Sequence, residues 1–188
     1  MANVSTDTLD LVNDTVVNVA GLLQDLVGSK RDYGLRLDAF ALADDLQAAR
    51  LEGAVRLTRL SDEILAAVRL KGQVHLECVR CLRIYVEDFR AQFEEEYRQT
   101  VNVRTGAGIK PDRDPDEVED MFEIDELHQI DVAEALRQHV ILSLPMRPDC
   151  GIECPGPAPV VGDEGRTAEV DERLAALAAL LDRDASRD

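Results

Sequence analysis

The stretch "AAVRLKGQVHLECVRCLRIYVEDF", residues 66–89, decides the fold. Its first half sets Ala66, Val68, Leu70, Gly72, Val74, Leu76 and Cys78 in alternation with Ala67, Arg69, Lys71, Gln73, His75 and Glu77. Successive strand side chains point to opposite faces, so this period of two predicts a long strand with one face buried and one wet, as in an antiparallel sheet solvated on one side. After a break at the cysteines, Phe89, Ala91 and Phe93 resume the pattern. The natural connection is a hairpin with its turn at or near Cys78 to Arg83.

Working outward, "VVNVAGLLQDLVGSKRDYGL" from Val16 predicts a short strand at Val16 and Val17. A helix follows over about 19–27, with Leu22, Leu23, Leu26 and Val27 as its apolar face and Gly28 ending it. "YGLRLDAF" and "ARLEGAVRLTRL" alternate like strands, and "LSDEIL" reads as a turn. In "IDVAEALRQHVILSLP" Asp131 caps a helix over 131–144, Glu134 stands at capping-box spacing, and Pro145 halts it. "AEVDERLAALAALLDR" predicts an amphipathic helix over 168–182 through Val170, Leu174, Leu177 and Leu181. Residues 1–15 read as a loose tail, 105–120 as a flexible acidic insertion and 155–167 as a linker. The expected fold is one α+β domain over 16–182. Its core is a curved antiparallel sheet or partial barrel from residues 16 to 103, flanked by helices.

With 188 residues, 45% hydrophobic and 31% charged, the chain can bury a core without disulfides. It lacks a leader-like N-terminus and any run of the roughly 18 apolar residues that a membrane helix requires, so a cytoplasmic location is expected. A formal charge of −17 repels phosphate surfaces in general. The acidity is uneven, however. Residues 50–90 carry Arg50, Arg56, Arg59, Arg69, Lys71, Arg80, Arg83 and Arg90 against Glu52, Asp62, Glu63, Glu77, Glu87 and Asp88. The plain reading is solvated strand faces; the sharper one is a local surface of Arg69, Lys71, Arg80 and Arg83 that meets RNA or another partner.

Cysteines occur as two close pairs, Cys78 with Cys81 and Cys150 with Cys154. In a reducing compartment such spacing points to metal or thiol chemistry rather than structural disulfides. A structural zinc site takes four soft ligands, usually as two pairs on tight turns, and the C-x2-C and C-x3-C spacings both fit. Zinc held by Cys78, Cys81, Cys150 and Cys154 is therefore set ahead of inert buried thiols, although Cys78 falls on the apolar face by parity. Redox chemistry ranks behind both, because a thioredoxin-like C-x-x-C needs a helix N-terminus and this one continues as strand. His75, His128 and His139 show no ligand spacing. No phosphate loop, nucleophile elbow or metalloprotease motif occurs, so the chain is expected not to be an enzyme.

Three stretches together, "LECVRCLRIYVEDF", "IDVAEALRQHVILSLPMRPDC" and "VDERLAALAALL", resemble the YceD-type family of large ribosomal RNA subunit accumulation proteins. The resemblance covers most of the chain from about residue 16. Many members carry a further C-x-x-C after the equivalent of Cys154; here "CPGPAPVVG" has Ala158 and Val161 at those places, while Gly156, Pro159 and Gly162 fit. Four thiols are left, enough for one zinc if the two pairs meet. The resemblance implies a non-enzymatic factor for large ribosomal subunit assembly; the expected partner is a large-subunit ribosomal protein or a pre-ribosomal RNA particle, and the charge and lack of a long apolar run lead us to expect no membrane. The alternative is a zinc- or thiol-dependent enzyme acting in RNA processing.

Overall fold

The alternating run forms β5 (Glu63–Glu77), and β6 (Ile84–Gln99) returns beside it in continuous antiparallel register from Glu63↔Arg98 to Glu77↔Ile84. Ile64, Ala66, Val68, Leu70 and Val74 are buried on one face, while Arg69, Lys71 and His75 stand exposed on the other. The hairpin turn spans 78–83, as the pattern predicts. The computed structural model describes residues 9–110 and 121–157.

β3 (Lys30–Ala43) and β4 (Leu46–Arg59) extend the sheet antiparallel to β5. The strands at its two edges change its character. β1 (Leu9–Val12) pairs in parallel with β3, and β7 (Phe122–Ile124) pairs in parallel with β6 at Tyr97–Gln99. The order β1-β3-β4-β5-β6-β7 leaves β1 and β7 at opposite edges, so the sheet is open and mixed rather than wholly antiparallel or barrel-like. Parallel neighbours cannot be joined by a tight turn. The β1–β3 connection holds β2 (Val16–Asn18) and α1 (Ala20–Gln24), and the β6–β7 connection runs through 100–121. Residues 9–12, inside the stretch read as a loose tail, are thus tied into the sheet, because their backbone groups find a partner along Tyr33–Arg36.

One face of the sheet is covered. β2 pairs antiparallel with β8 (Gln129–Asp131), and α2 (Ala133–Ser143) follows at once. Val17, Leu22, Ile130, Leu136 and Val140 join Leu37, Leu51, Leu57, Val68, Phe93 and Tyr97 in one aliphatic-rich core. Two helical expectations need correction. α1 stops at Gln24, burying Leu22 and Leu23 but leaving Leu26 and Val27 exposed. Gly28, at φ +89°, serves the turn into β3 and donates its N–H to the Arg59 carbonyl instead of ending a helix. For α2, the capping position is Val132, and Asp131 stands one residue earlier, accepting the Ala133 N–H at 2.9 Å and the Thr15 hydroxyl at 2.7 Å. No capping box forms, because Glu134 turns forward to Arg137 and Gln138.

The chain divides into two compact units between Cys154 and Pro155, where the linker reading begins. Residues 111–120 of the acidic insertion, 158–167 of the linker and the helix expected over 168–182 lie outside the described residues. Within 105–110, Gly108 bridges back to Val101.

Candidate metal centre

Two turns build the centre. At the hairpin tip, Cys78 N–H donates to the Arg83 carbonyl and Leu82 N–H to the Cys78 carbonyl, both at 2.9 Å. The loop is tight enough to force Leu82 into the left-handed region at φ +59°. After α2, Pro145 ends the helix and 145–150 runs back to the tip, where Val79 N–H donates to the Pro148 carbonyl at 3.0 Å. A second turn follows, with Gly151 at φ +91° and Cys154 N–H bonded to the Gly151 carbonyl. Each turn presents two sulfurs to the other.

The four Sγ atoms lie within 4.8 Å of one another. Cys78 to Cys154 is 3.8 Å and Cys81 to Cys150 is 3.6 Å. A tetrahedron with Zn–S bonds of about 2.3 Å has sulfur–sulfur edges of roughly 3.8 Å, whereas a disulfide requires about 2.05 Å. All four thiols are free. The arrangement is thus that of a four-sulfur cage able to hold a metal ion.

Proton affinities are divided within the cluster. The Cys150 N–H, donated to the Cys78 sulfur at 3.5 Å, is the chief cause that lowers the Cys78 thiol to about 6, and the backbone N–H groups of Cys81 and Arg80 assist. Cys81 is lowered mainly by the Arg83 backbone N–H, then by its side chain. Cys150 is pushed up to about 12, first by burial and then by the neighbouring sulfurs. Crowded sulfurs cannot all ionise without a cation among them. A divalent ion held by Cys78, Cys81, Cys150 and Cys154 would supply that charge and favour their thiolate forms.

Of the four cations expected at an RNA or partner surface, the structure keeps two at this centre. Arg80 pairs with Asp149 at 3.2 Å, which raises the proton affinity of its guanidinium, and Arg83 stands beside Cys81, whose sulfur does the same for it. A divalent ion held by four thiolates would carry two net negative charges, and these two guanidinium groups stand where they would balance it. Arg69 and Lys71 stand apart, on the wet face of β5, and Lys71 reaches Glu52 at 3.5 Å. Cys78 lies seven positions along the chain from Lys71, roughly 23 Å at about 3.3 Å per step. Asp149 was not singled out by sequence reading, although its place beside Cys150 in "RPDC" was the available signal.

The family model described as Large ribosomal RNA subunit accumulation protein YceD matches residues 66–181. The chain belongs to this family. The matched span opens on the alternating run of β5 and contains all four cysteines of the centre, so the YceD region includes both turns that build it. Comparison with curated proteins and with solved structures returned no match. Among the described residues no helix is long and apolar enough to cross a membrane.

Proposed function

We propose that this YceD-family chain supports accumulation of large-subunit ribosomal RNA as a non-catalytic assembly factor, and that its four cysteines hold a structural zinc. The observation that carries the zinc reading is the sulfur geometry. Four thiolates fill a tetrahedral ion, so no position remains for water or substrate. The metal would join the hairpin tip to the segment after α2, and the chain's residues would do the rest: the backbone N–H groups of 80, 81, 83 and 150 orient the sulfurs, while Arg80 and Arg83 balance their charge. The family's printed description supports the ribosomal role. The partner in this reading is a pre-ribosomal particle or one of its proteins, in the cytoplasm, where an acidic chain screens basic protein surfaces.

RNA contact, in the same reading, belongs to the open sheet face rather than the hairpin tip. Cross-strand register places Arg36, Glu52, Lys71 and Arg90 in one row over four strands, with Arg69 in the adjoining row. Reversing Arg36, Arg69, Lys71 and Arg90 together is expected to release the chain from pre-ribosomal particles while leaving it folded. Unchanged association would make that face merely solvated.

Ribosome profiles from a depletion strain test the function. Depletion is expected to lower free and assembled large subunits, and expression of the chain to restore them. Normal subunit ratios after depletion would overturn the role. Cleavage or chemical modification of precursor RNA by the purified chain, lost when the cysteines are replaced, would favour the RNA-processing enzyme instead.

A further inference from the structure

The open edge of β6 bears a backbone pattern that the ribosomal reading, which takes only Arg90 from this strand, does not use. Cys78 and Arg83 form the hydrogen-bonded pair that closes the β5–β6 hairpin. In an antiparallel ladder such pairs alternate, so odd-numbered residues of β6 direct N–H and C=O toward β5, and even-numbered residues direct theirs outward. The far end agrees: Gln99 N–H reaches the Asp62 carbonyl on the β5 side, and β7 adds to the outer edge around Arg98. Beyond that short parallel pairing, Ile84, Val86, Asp88, Arg90, Gln92 and Glu94 present outward backbone groups that meet no strand among the described residues. The edge is long, straight in register and already accepts one strand.

Its side chains choose the occupant. The hairpin end is apolar, with Leu82, Ile84 and Val86 exposed by 69%, 71% and 51%. Further along, Asp88 and Glu94 flank Arg90 on the wet face and Glu87 adds an acid on the other, while Glu95 is already bonded to His139, on a chain of net charge −17. A second copy paired antiparallel about Ala91 would set Asp88 opposite Glu94, like charges that disfavour that register. The same charges attract a basic strand. We infer that β6 is a strand-addition site for an extended basic polypeptide segment, with aliphatic side chains of the segment seated at Ile84 and Val86 and its Lys or Arg side chains opposite Asp88 and Glu94. The inference is independent of zinc and of the ribosomal role.

The probe is a synthetic peptide of alternating valine and lysine, added to the full chain while amide hydrogen exchange is followed residue by residue. In the free protein, amides 86, 88, 90 and 92 are expected to exchange fast and those of 85, 87, 89 and 91 slowly, and peptide is expected to slow the first set. Gln92→Pro removes only an outward N–H, which an edge strand tolerates, and is expected to weaken peptide binding about tenfold or more with the fold intact. Asp88→Lys with Glu94→Lys, which leaves the backbone groups in place, is expected to weaken it as well. Even-numbered amides already protected in the free monomer would mean that the chain covers its own edge, and protection that fades on dilution would mean that a second copy does; either overturns the inference. So would peptide binding unaffected by both variants, or a single-stranded RNA oligonucleotide protecting these amides where the peptide does not.

Discussion

The sulfur atoms of Cys78 and Cys154 lie 3.8 Å apart across a sequence separation of 76 residues. One sits at the end of a β strand and the other in a turn that follows a proline-broken helix. Only the return of segment 145–150 to the hairpin tip brings them together. Purified without chelator, the chain is expected to carry about one zinc. Replacing either member of either pair by serine should abolish stoichiometric metal and lower the melting temperature, since metal bound only by the folded state stabilises that state. Elemental analysis alongside thermal unfolding checks both, and a metal-free wild-type chain with unchanged stability would remove zinc from the account.

Arg80 and Arg83 give a second test. Because they neutralise the sulfur cluster, substituting both by glutamine should speed loss of metal to a competing chelator and weaken affinity roughly 10- to 100-fold, the usual scale for groups that support metal ligands. Asp149→Asn, which frees Arg80, should have a smaller effect in the same direction. Equal metal affinity in all these variants would mean that the arginines face the sulfurs without influencing them.

The union of α2 with the sheet rests on Leu136, which is fully buried among core side chains. Leu136→Ala should cost about 2–5 kcal/mol in denaturant unfolding. A loss well under 1 kcal/mol would indicate that the helix end repacks around the missing atoms.

Gly53 in β4 permits a close approach of strands. A Cβ there would run into the Arg69 backbone carbonyl and lie 2.8 Å from the Leu70 Cβ. Backbone cannot step aside as a side-chain tip can. Gly53→Ala should therefore destabilise by about 1–3 kcal/mol, although alanine suits most strands better than glycine. Chemical denaturation measures it.

Glu134 sets one acid limb of the stability profile. Hydrogen bonds from Arg137 first, then Gln138, hold its carboxyl at about 2, below the ordinary 4.5. A depressed carboxyl adds stability that is complete above the unfolded value and disappears as pH falls through the folded one. The contribution is therefore full above about 4.5 and fades toward about 2, and its exposed position keeps it small. Glu134→Gln should flatten the profile in that window. An identical slope in the variant would assign the window to other carboxylates.

The long hairpin was legible because period two over residues 66–78 reports a strand solvated on one side, and no competing local signal interrupts it. Helix ends were less so. Leu26 and Val27 continue an apolar spacing past Gln24, yet the chain must turn there for Lys30 to enter β3, and that demand comes from the sheet. Leu9–Val12 looked like a tail because a four-residue edge strand carries too little pattern to stand out. Its partner, Tyr33–Arg36, is visible only in three dimensions.

For the centre, residue chemistry and spacing by themselves determined that each cysteine pair sits on a tight turn and suits a soft metal. Sequence also determined the buried face of β5, and with it that Cys78 lies inward. Which turn meets which was decided by tertiary structure alone, because Pro145 only stops a helix and does not say where the chain goes next. The same folding step placed Asp149 against Arg80, drawing the tip arginines toward the sulfurs and away from Arg69 and Lys71. Charge along a chain is additive, but a guanidinium group serves the partner that the fold sets within a few ångströms, since both Coulomb energy and hydrogen bonding depend on that distance.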